Sequence, residues 1–164
     1  MSESAFRVRP ASARDLDRLG ELYLTMSRAA AAADPGYALA LDAGRMWREH
    51  LEAGLKADRI RVLVSEDEHR RVVSFLAARV APSPVGSAAP MSGLIEGAFV
   101  EEAFRRQGRL RAMCAEAMRW FEVKRVKRVD LLADLRDAGA RAAWKSVGFE
   151  DVQVVMRAEV GGGG

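Results

Sequence analysis

The stretch of sequence that decides the fold is residues 94–124, which read LIEGAFVEEAFRRQGRLRAMCAEAMRWFEVK. Residues 94–100 are short and mostly apolar, which is typical of a strand, and they lead into a polar, basic turn at residues 101–108. An amphipathic helix follows at once. The first amides of a helix have no carbonyl partner within it, and the helix dipole favours negative charge at this end. The pattern therefore predicts a site for a phosphate-bearing ligand, although one glycine in a basic turn is also typical of an ordinary turn.

The composition indicates a folded globular protein. The chain has 164 residues, of which 49% are hydrophobic and 30% charged, and this length fits one domain with a sizeable core. We expect a single domain over residues 1–160 and a flexible glycine tail at residues 161–164. The net charge of +3 comes from basic residues interleaved with acidic ones. This balance permits an anionic ligand but does not indicate nucleic acid as a partner.

Cysteine count and hydropathy exclude further classes of protein. The single cysteine, Cys114, rules out a disulfide framework and a multi-cysteine zinc site, and we expect no bound metal. No apolar run approaches the length that crosses a membrane, so a membrane is not an expected partner. The cytoplasm is the expected location.

The order of predicted elements defines the fold class. Apolar spacings of three and four residues predict two helices before residue 60, the first capped by Ser12 with Asp15 at the capping-box position, the second beginning near Asp42. Strands are predicted at residues 6–9, 60–66, 71–80, 94–100, 129–133 and 149–158, and a last helix at residues 138–147. Adjacent strands followed by strand–helix–strand units predict an α/β (α+β) protein with a mixed sheet.

Two motifs in this order resemble the GNAT superfamily of acyl-CoA-dependent N-acyltransferases. In the first, a valine, an arginine and a glycine fall at the family's spacing in the strand–turn–helix, as Val100, Arg105 and Gly108. The second precedes a Gly-Phe pair and is formed by Asp137, Ala140, Ala143, Trp144, Gly148 and Phe149. The resemblance covers nearly the whole chain, from residue 6 to residue 158. It implies a mixed, mostly antiparallel central sheet of six to seven strands flanked by about four helices.

The resemblance also implies a reaction and a cosubstrate. Family members move acetyl from acetyl-CoA to a primary amine by direct attack in a ternary complex, so the expected partner is a small-molecule or peptide amine. Dimers are frequent in the family, which makes a homodimer a further expectation. Pantetheine is expected along the strand edge and the pyrophosphate on the amides of the turn. The implied cosubstrate-binding residues are Phe99, Val100, Arg105, Arg106, Gln107, Gly108, Arg109, Leu110 and Arg111.

Leu110 departs from the family pattern, in which a small residue at this position lets the backbone approach the pyrophosphate. We expect its side chain to join the apolar stripe of the following helix, together with Met113 and Cys114. The amides of the turn would then still face the ligand. Burial in this stripe also favours a structural role for Cys114 over a nucleophilic one.

The candidate catalytic residues are Glu96 and Trp144. A carboxylate in an otherwise apolar strand is costly unless it is paired or reaches water, and Glu96 is the candidate base for the amine. Pairing with Arg79 on the preceding strand is an equally open interpretation. Trp144 stands where the family often has the tyrosine that protonates the leaving thiolate, and an indole does not exchange protons as a phenol does. A non-catalytic acyl-CoA-binding or partner-binding module on the same fold is therefore the alternative function.

The acceptor pocket is the least predictable part of the sequence. By resemblance, the first two helices and their linker cover it, which makes Tyr37 and Trp47 its candidate lining residues. His50 lies on the same helical stripe, and a packed, hydrogen-bonded histidine is expected there rather than a base. No pattern in these residues identifies the amine.

Overall fold

The computed structural model describes residues 6–161 of the chain. Its regular elements are, in chain order, β1 (Val8–Pro10), a short 3-10 helix (Ala13–Asp15), α1 (Leu16–Ala33), α2 (Ala43–Lys56), β2 (Ile60–Glu66), β3 (Val72–Pro82), β4 (Met91–Val100), a second 3-10 helix (Glu102–Phe104), α3 (Arg109–Val123), β5 (Val129–Leu131) and α4 (Ala138–Ser146). They fall into two compact units, one that ends at Leu132 and one that begins at Ala133. The single domain expected from the sequence stays a prediction. Within residues 6–161, no helix is both long and apolar enough to span a membrane.

One sheet with the strand order β1-β2-β3-β4-β5 forms the centre of the first unit. The first four strands run antiparallel to their neighbours, whereas β4 and β5 are parallel and are connected through α3. The predicted mixed, mostly antiparallel sheet with about four helices is therefore confirmed. The predicted number of six to seven strands is wrong, because the sheet of the described residues has five.

The strand predicted at residues 149–158 is absent from the described part of the chain, where these residues have no regular secondary structure. Their alternating apolar pattern suits an extended backbone, but Val152, Val154 and Met156 are all largely exposed. A strand is held by cross-strand pairs and by a buried face. Residues 6–161 supply neither to this segment, so an extended pattern alone does not make it a strand.

Helices cover both faces of the sheet. On one face, α1 and α2 pack over β2 and β3 with a core that includes Leu19, Leu51 and Phe75. These two helices approach closely, since a Cβ on Gly20 would lie 3.3 Å from the carbonyl oxygen of Gly44. On the other face lies α3, whose fully buried Phe121 leaves no room for a side chain at position 93 of β4. The close packing of α1 and α2 fixes the position of α2 relative to the sheet.

Candidate active site

The ladder between β3 and β4 is interrupted at Glu96. Ala77 pairs with Gly97 and Ala78 with Ile95, so Glu96 is an extra residue on β4 without a partner on β3. Such a β-bulge redirects side chains and bends the strand, and bulges are frequent beside active sites. The bulge directs the carboxylate of Glu96 to the face of the sheet that α2 covers.

Glu96 is held by one residue from a strand and one from a helix. Its Oε1 accepts a hydrogen bond from Nε of Arg79, and its Oε2 lies 2.8 Å from Nε2 of His50. The Glu96 side chain is 11% exposed and that of His50 is 43% exposed. The pairing with Arg79 that the sequence suggested is therefore present, and the role of Glu96 as a base stays a prediction. The cluster connects a nearly buried carboxylate to the surface through an imidazole.

The contact between Glu96 and His50 is the part of the candidate site that the sequence did not predict. His50 was expected to be packed and hydrogen-bonded: the hydrogen-bond contact is present, to Glu96 on β4, but the side chain is partly exposed. It lies 46 residues before Glu96, and no spacing rule connects a helix position with a strand position at that separation. The sequence indicated only that Glu96 needs some partner, because an unpaired carboxylate in an apolar strand is costly.

A pocket of about 410 Å³ opens beside His50. Its nine lining residues come from α1, α2 and the linker between them, and they are Tyr23, Tyr37, Ala38, Leu39, Ala40, Ala43, Met46, Trp47 and His50. The predicted residues Tyr37 and Trp47 are thus brought together with His50. Sequence reasoning missed Tyr23, whose ring stacks on that of Trp47 with centroids 4.4 Å apart. Burial, and secondly the neighbouring Tyr23 hydroxyl, raise the pKa of Tyr37.

The turn before α3 has the geometry of an anion site. Gly108 is the N-cap of α3, with a left-handed φ of 81°, and Arg106 also has a positive φ, of 61°. The helical hydrogen bonds begin with the amide of Ala112, which donates to the carbonyl of Gly108 at 3.0 Å. Among residues 6–161 no side-chain cap is present at this N-cap, and a Cβ at position 108 would meet nothing within 4 Å. Open space therefore lies beside Gly108, at the end of α3 where unbonded amides and the helix dipole favour an anion.

The side chain of Arg109 is buried and connects this turn with β2, since its Nε donates a hydrogen bond to Gln107 Oε1 at 3.2 Å. Its Nη1 donates to Ser65 Oγ at 2.7 Å and to the carbonyl of Glu66 at 3.0 Å, and its guanidinium lies 4.4 Å from the centroid of the Phe6 ring. The residue is 5% exposed, and this burial lowers its pKa. The buried stripe of α3 therefore begins at Arg109 and includes Met113, whereas Leu110, expected in that stripe, is only half-buried.

Most of the remaining residues of the turn are exposed, whereas Glu101 and Phe104 are half-buried. Nε of Arg105 donates to the carbonyl of Val100 at 2.9 Å, and its guanidinium lies 5.8 Å from the ring centroid of Phe99. These residues border a second cavity of about 430 Å³. Arg106, Gln107 and Arg111 are also exposed, so the turn presents several positively charged side chains to solvent.

The edge of β4 beside this turn lacks a strand partner. β4 pairs with β5 only from Gly93 to Ile95, and within the described chain no strand continues along residues 97–100 on that side. An unpaired edge presents backbone donors and acceptors to any extended amide-containing molecule. This is the edge along which the resemblance places pantetheine.

Trp144 belongs to the second unit. Its ring packs edge-on against Phe149, with centroids 5.4 Å apart. The helix that carries it, α4, is capped by Asp137, whose carboxylate accepts a hydrogen bond from the amide of Ala140 at 2.9 Å. Trp144 and Asp137 therefore have local structural roles in this unit.

The sequence of the chain identifies its family. Residues 24–149 match the model of the Acetyltransferase (GNAT) family, and the chain belongs to this family. This membership confirms the predictions of an acetyltransferase and of acetyl-CoA as its cosubstrate. A comparison with curated proteins gives no match to the chain.

Solved structures share the fold. Aminoglycoside 6'-N-acetyltransferase AAC(6')-Ih from Acinetobacter baumannii is 16% identical with a TM-score of 0.75, and the match covers 96% of this chain and 99% of that one. AAC(6')-IG from Acinetobacter haemolyticus is 20% identical, with a TM-score of 0.73 and coverage of 94% and 97%. A predicted acetyltransferase with acetyl-CoA from Clostridium acetobutylicum is 15% identical, with a TM-score of 0.76 and coverage of 94% and 96%. At these identities the similarity is one of fold alone.

Proposed function

We propose that this protein transfers acetyl from acetyl-CoA to a primary amine of a small molecule by direct attack in a ternary complex. The observation that carries the proposal is the Glu96–His50 pair, which lies at the bulge of β4 and beside the pocket of α1 and α2. Two of the similar structures are named aminoglycoside acetyltransferases, which supports a small-molecule amine over a peptide. The location predicted from the sequence, the cytoplasm, stays a prediction.

In this proposal, Glu96 and His50 act together to take the proton of the amine. A carboxylate only accepts hydrogen bonds, so the contact with Glu96 places the proton of a neutral His50 on Nε2. The Nδ1 atom of the same ring then has a free lone pair and accepts the proton when the amine nitrogen bonds to the acetyl carbon. Arg79 holds the carboxylate in position. Glu96 thereby orients the imidazole and stabilises its charged form.

The cosubstrate is held by backbone groups in this proposal. The amides at the start of α3 bind the pyrophosphate, and residues 97–100 of β4 offer their unpaired edge to the pantetheine amides. Exposed arginines of the turn, such as Arg105 and Arg106, add positive charge around the phosphates. Trp144 supplies no proton, so the thiolate leaves without an acid at this position.

Two assays test the proposal one after the other: calorimetry measures binding, and a thiol-release assay measures turnover. Acetyl-CoA and CoA should both bind, and a failure of either to bind would refute the function at its first step. Release of free thiol that depends on an added amine should follow. Binding without turnover of any amine would instead support the non-catalytic acyl-CoA-binding module.

Variants of the cluster test its role. Glu96→Gln and His50→Gln should each lower kcat by about a hundredfold or more, the usual contribution of a general base, while CoA affinity stays unchanged. Added imidazole should partly restore the His50→Gln variant. His69→Gln is the matched control, because His69 is the other histidine and lies exposed in the turn between β2 and β3. An unchanged kcat and pH–rate profile in both variants would leave Glu96 with a structural role only.

A further inference from the structure

The acceptor pocket has a composition that restricts the kind of amine it takes. We infer that the acceptor is a monoamine on an aromatic or similarly flat, apolar body, and that polycationic amines are disfavoured. This inference rests on the proposed acetyl transfer to an amine. It names the substrate class for the pocket beside His50, which the similarity to other structures leaves open.

The first argument concerns charge. None of the nine residues that line the pocket is acidic. The carboxylate of Glu96 contacts His50 and already forms an ion pair with Arg79. Its negative charge is therefore largely neutralised and does not offset the additional ammonium groups of a polyamine. The exposed carboxylates of Asp42, which precedes α2, and of Glu49, in α2, both pair with Arg45. The additional ammonium groups of a polyamine would therefore lose water in this pocket without gaining an anionic partner.

The second argument concerns shape. Tyr23 and Trp47 are stacked with an interplanar angle of 9°, and the ring of Trp47 lies 5.5 Å from that of His50. Tyr37, from the linker, is 39% exposed at the pocket. Aromatic walls favour flat partners through stacked or edge-to-face contacts, and their faces also attract an ammonium group before it is deprotonated. The volume of about 410 Å³ lies within the usual range for small-molecule sites.

These two arguments together define the orientation of the acceptor. Its ring lies among Tyr23, Tyr37 and Trp47, and its single amine points to Nδ1 of His50. The aliphatic side chains from the linker and α2, Leu39 and Met46, cover the rest of its apolar surface. No lining residue offers a carboxylate to a second positive charge.

The experiment compares 2-phenylethylamine with spermidine and kanamycin. Each is measured for binding to the CoA-saturated protein by calorimetry, and for kcat/KM at saturating acetyl-CoA. The aromatic monoamine should exceed both polyamines in affinity by about tenfold, the upper range of a specific aromatic contact. A polyamine that binds more tightly than 2-phenylethylamine would overturn the inference, and so would an absence of monoamine binding.

The two readouts separate the inference from the function on which it rests. Preferential binding of the monoamine without any thiol release would support the pocket chemistry and refute the proposed catalysis. Acetylation of polyamines alone would support catalysis and refute the pocket chemistry.

Matched variants test the individual walls of the pocket. Tyr37→Ala should weaken monoamine binding by about threefold to tenfold, whereas Tyr37→Phe, which keeps the ring, should not.

A second pair of variants tests the effect of charge at Met46, a half-exposed residue of the lining. Met46→Glu should raise spermidine affinity relative to 2-phenylethylamine by about threefold to fivefold, and Met46→Gln should not. Leu41→Ala changes a nearby, fully exposed residue outside the lining and should leave every affinity unchanged. Equal effects of Tyr37→Ala and Leu41→Ala would contradict the assignment of Tyr37.

Discussion

Substitution of Gly108 offers a sharp test of the phosphate site. The residue has φ 81° and ψ 6°, and a Cβ there would meet no atom within 4 Å. Asparagine and aspartate are the non-glycine residues that adopt this left-handed conformation most readily. Gly108→Asn and Gly108→Asp should therefore both fold, at a similar cost of about 1 kcal/mol in unfolding free energy. Because the two side chains have nearly the same size, any difference in CoA affinity between them reports charge.

The size of that difference follows from Coulomb's law. Two unit charges about 4 Å apart interact with about 1 kcal/mol in bulk water and about 4 kcal/mol at an effective dielectric constant of about 20. The open space in front of α3 is solvent-accessible, so the lower part of this range applies. A pyrophosphate with two negative charges should therefore bind Gly108→Asp more weakly than Gly108→Asn by about 1.5–3 kcal/mol, or about tenfold to a hundredfold in Kd.

Calorimetric titration of CoA into both variants measures this ratio. The ratio should shrink when salt is raised from low ionic strength to about 1 M, because the Debye length falls to about 3 Å. S-acetylpantetheine, which has no phosphate, should bind both variants equally. Equal CoA affinities for the two variants at low salt would refute the placement of the pyrophosphate at this turn, whatever the absolute affinity.

Three further predictions concern stability and reactivity. The Arg9 guanidinium lowers the pKa of the Asp15 carboxyl to about 2, so the stabilisation by Asp15 is complete above about pH 4 and is lost as pH falls towards 2. Asp15→Asn should reduce the unfolding free energy at pH 7 by about 1–2 kcal/mol in urea titrations, and this loss should vanish near pH 2. Gly93→Ala should destabilise by about 1–3 kcal/mol in the same titrations, because its Cβ would lie 2.7 Å from a ring carbon of the buried Phe121. Burial raises the pKa of the Cys114 thiol to about 11, so iodoacetamide at pH 8 should modify it about a hundredfold more slowly in the folded protein than in urea.

Each of these predictions has a control within the chain. Asp17 is exposed and its contact with Arg48 is loose at 3.2 Å, so Asp17→Asn should change stability little at any pH. A Cβ on Gly97 would lie 3.3 Å from the flexible end of Met26 and in ordinary contact with Phe75 at 3.6 Å, so Gly97→Ala should cost much less than Gly93→Ala. Fast alkylation of the folded protein at a rate equal to that in urea would show that Cys114 is accessible.

Local patterns in the sequence predicted most of the fold. β2 occupies residues 60–66 as predicted, and the amide of Ser12 donates to the Asp15 carboxylate at 2.8 Å, as a capping box requires. Turn signals and helical periodicity act within a few residues, so a single sequence contains them. The strand predicted at residues 149–158 failed because a strand also needs a partner, and no local pattern shows whether one is present.

The candidate site was predictable only where it depends on local backbone. Gly108 before a helix was visible in the sequence, and the structure gives it the open N-cap expected. The pyrophosphate was expected on backbone amides that include that of Arg109, and the burial of the Arg109 side chain was not predicted, because two of its hydrogen-bond partners, Ser65 and Glu66, lie more than 40 residues away. The contact between Glu96 and His50 is also a long-range one, because it depends on how α2 packs over a bulge in β4. Long-range packing of this kind leaves no pattern in one sequence.

The unpaired edge of β4 also affects the protein before any ligand arrives. Exposed strand edges template association between chains, and short length and bulges are devices that limit it. Here the open edge beside the turn is only four residues long, 97–100, and follows directly on the bulge at Glu96. A cosubstrate that occupies this edge would take the place of a further strand beside the five of the sheet and add RT ln(1 + [L]/Kd) to the stability of the protein. Acetyl-CoA would then raise the free energy of unfolding and cover an edge open to other chains, in addition to serving as the cosubstrate.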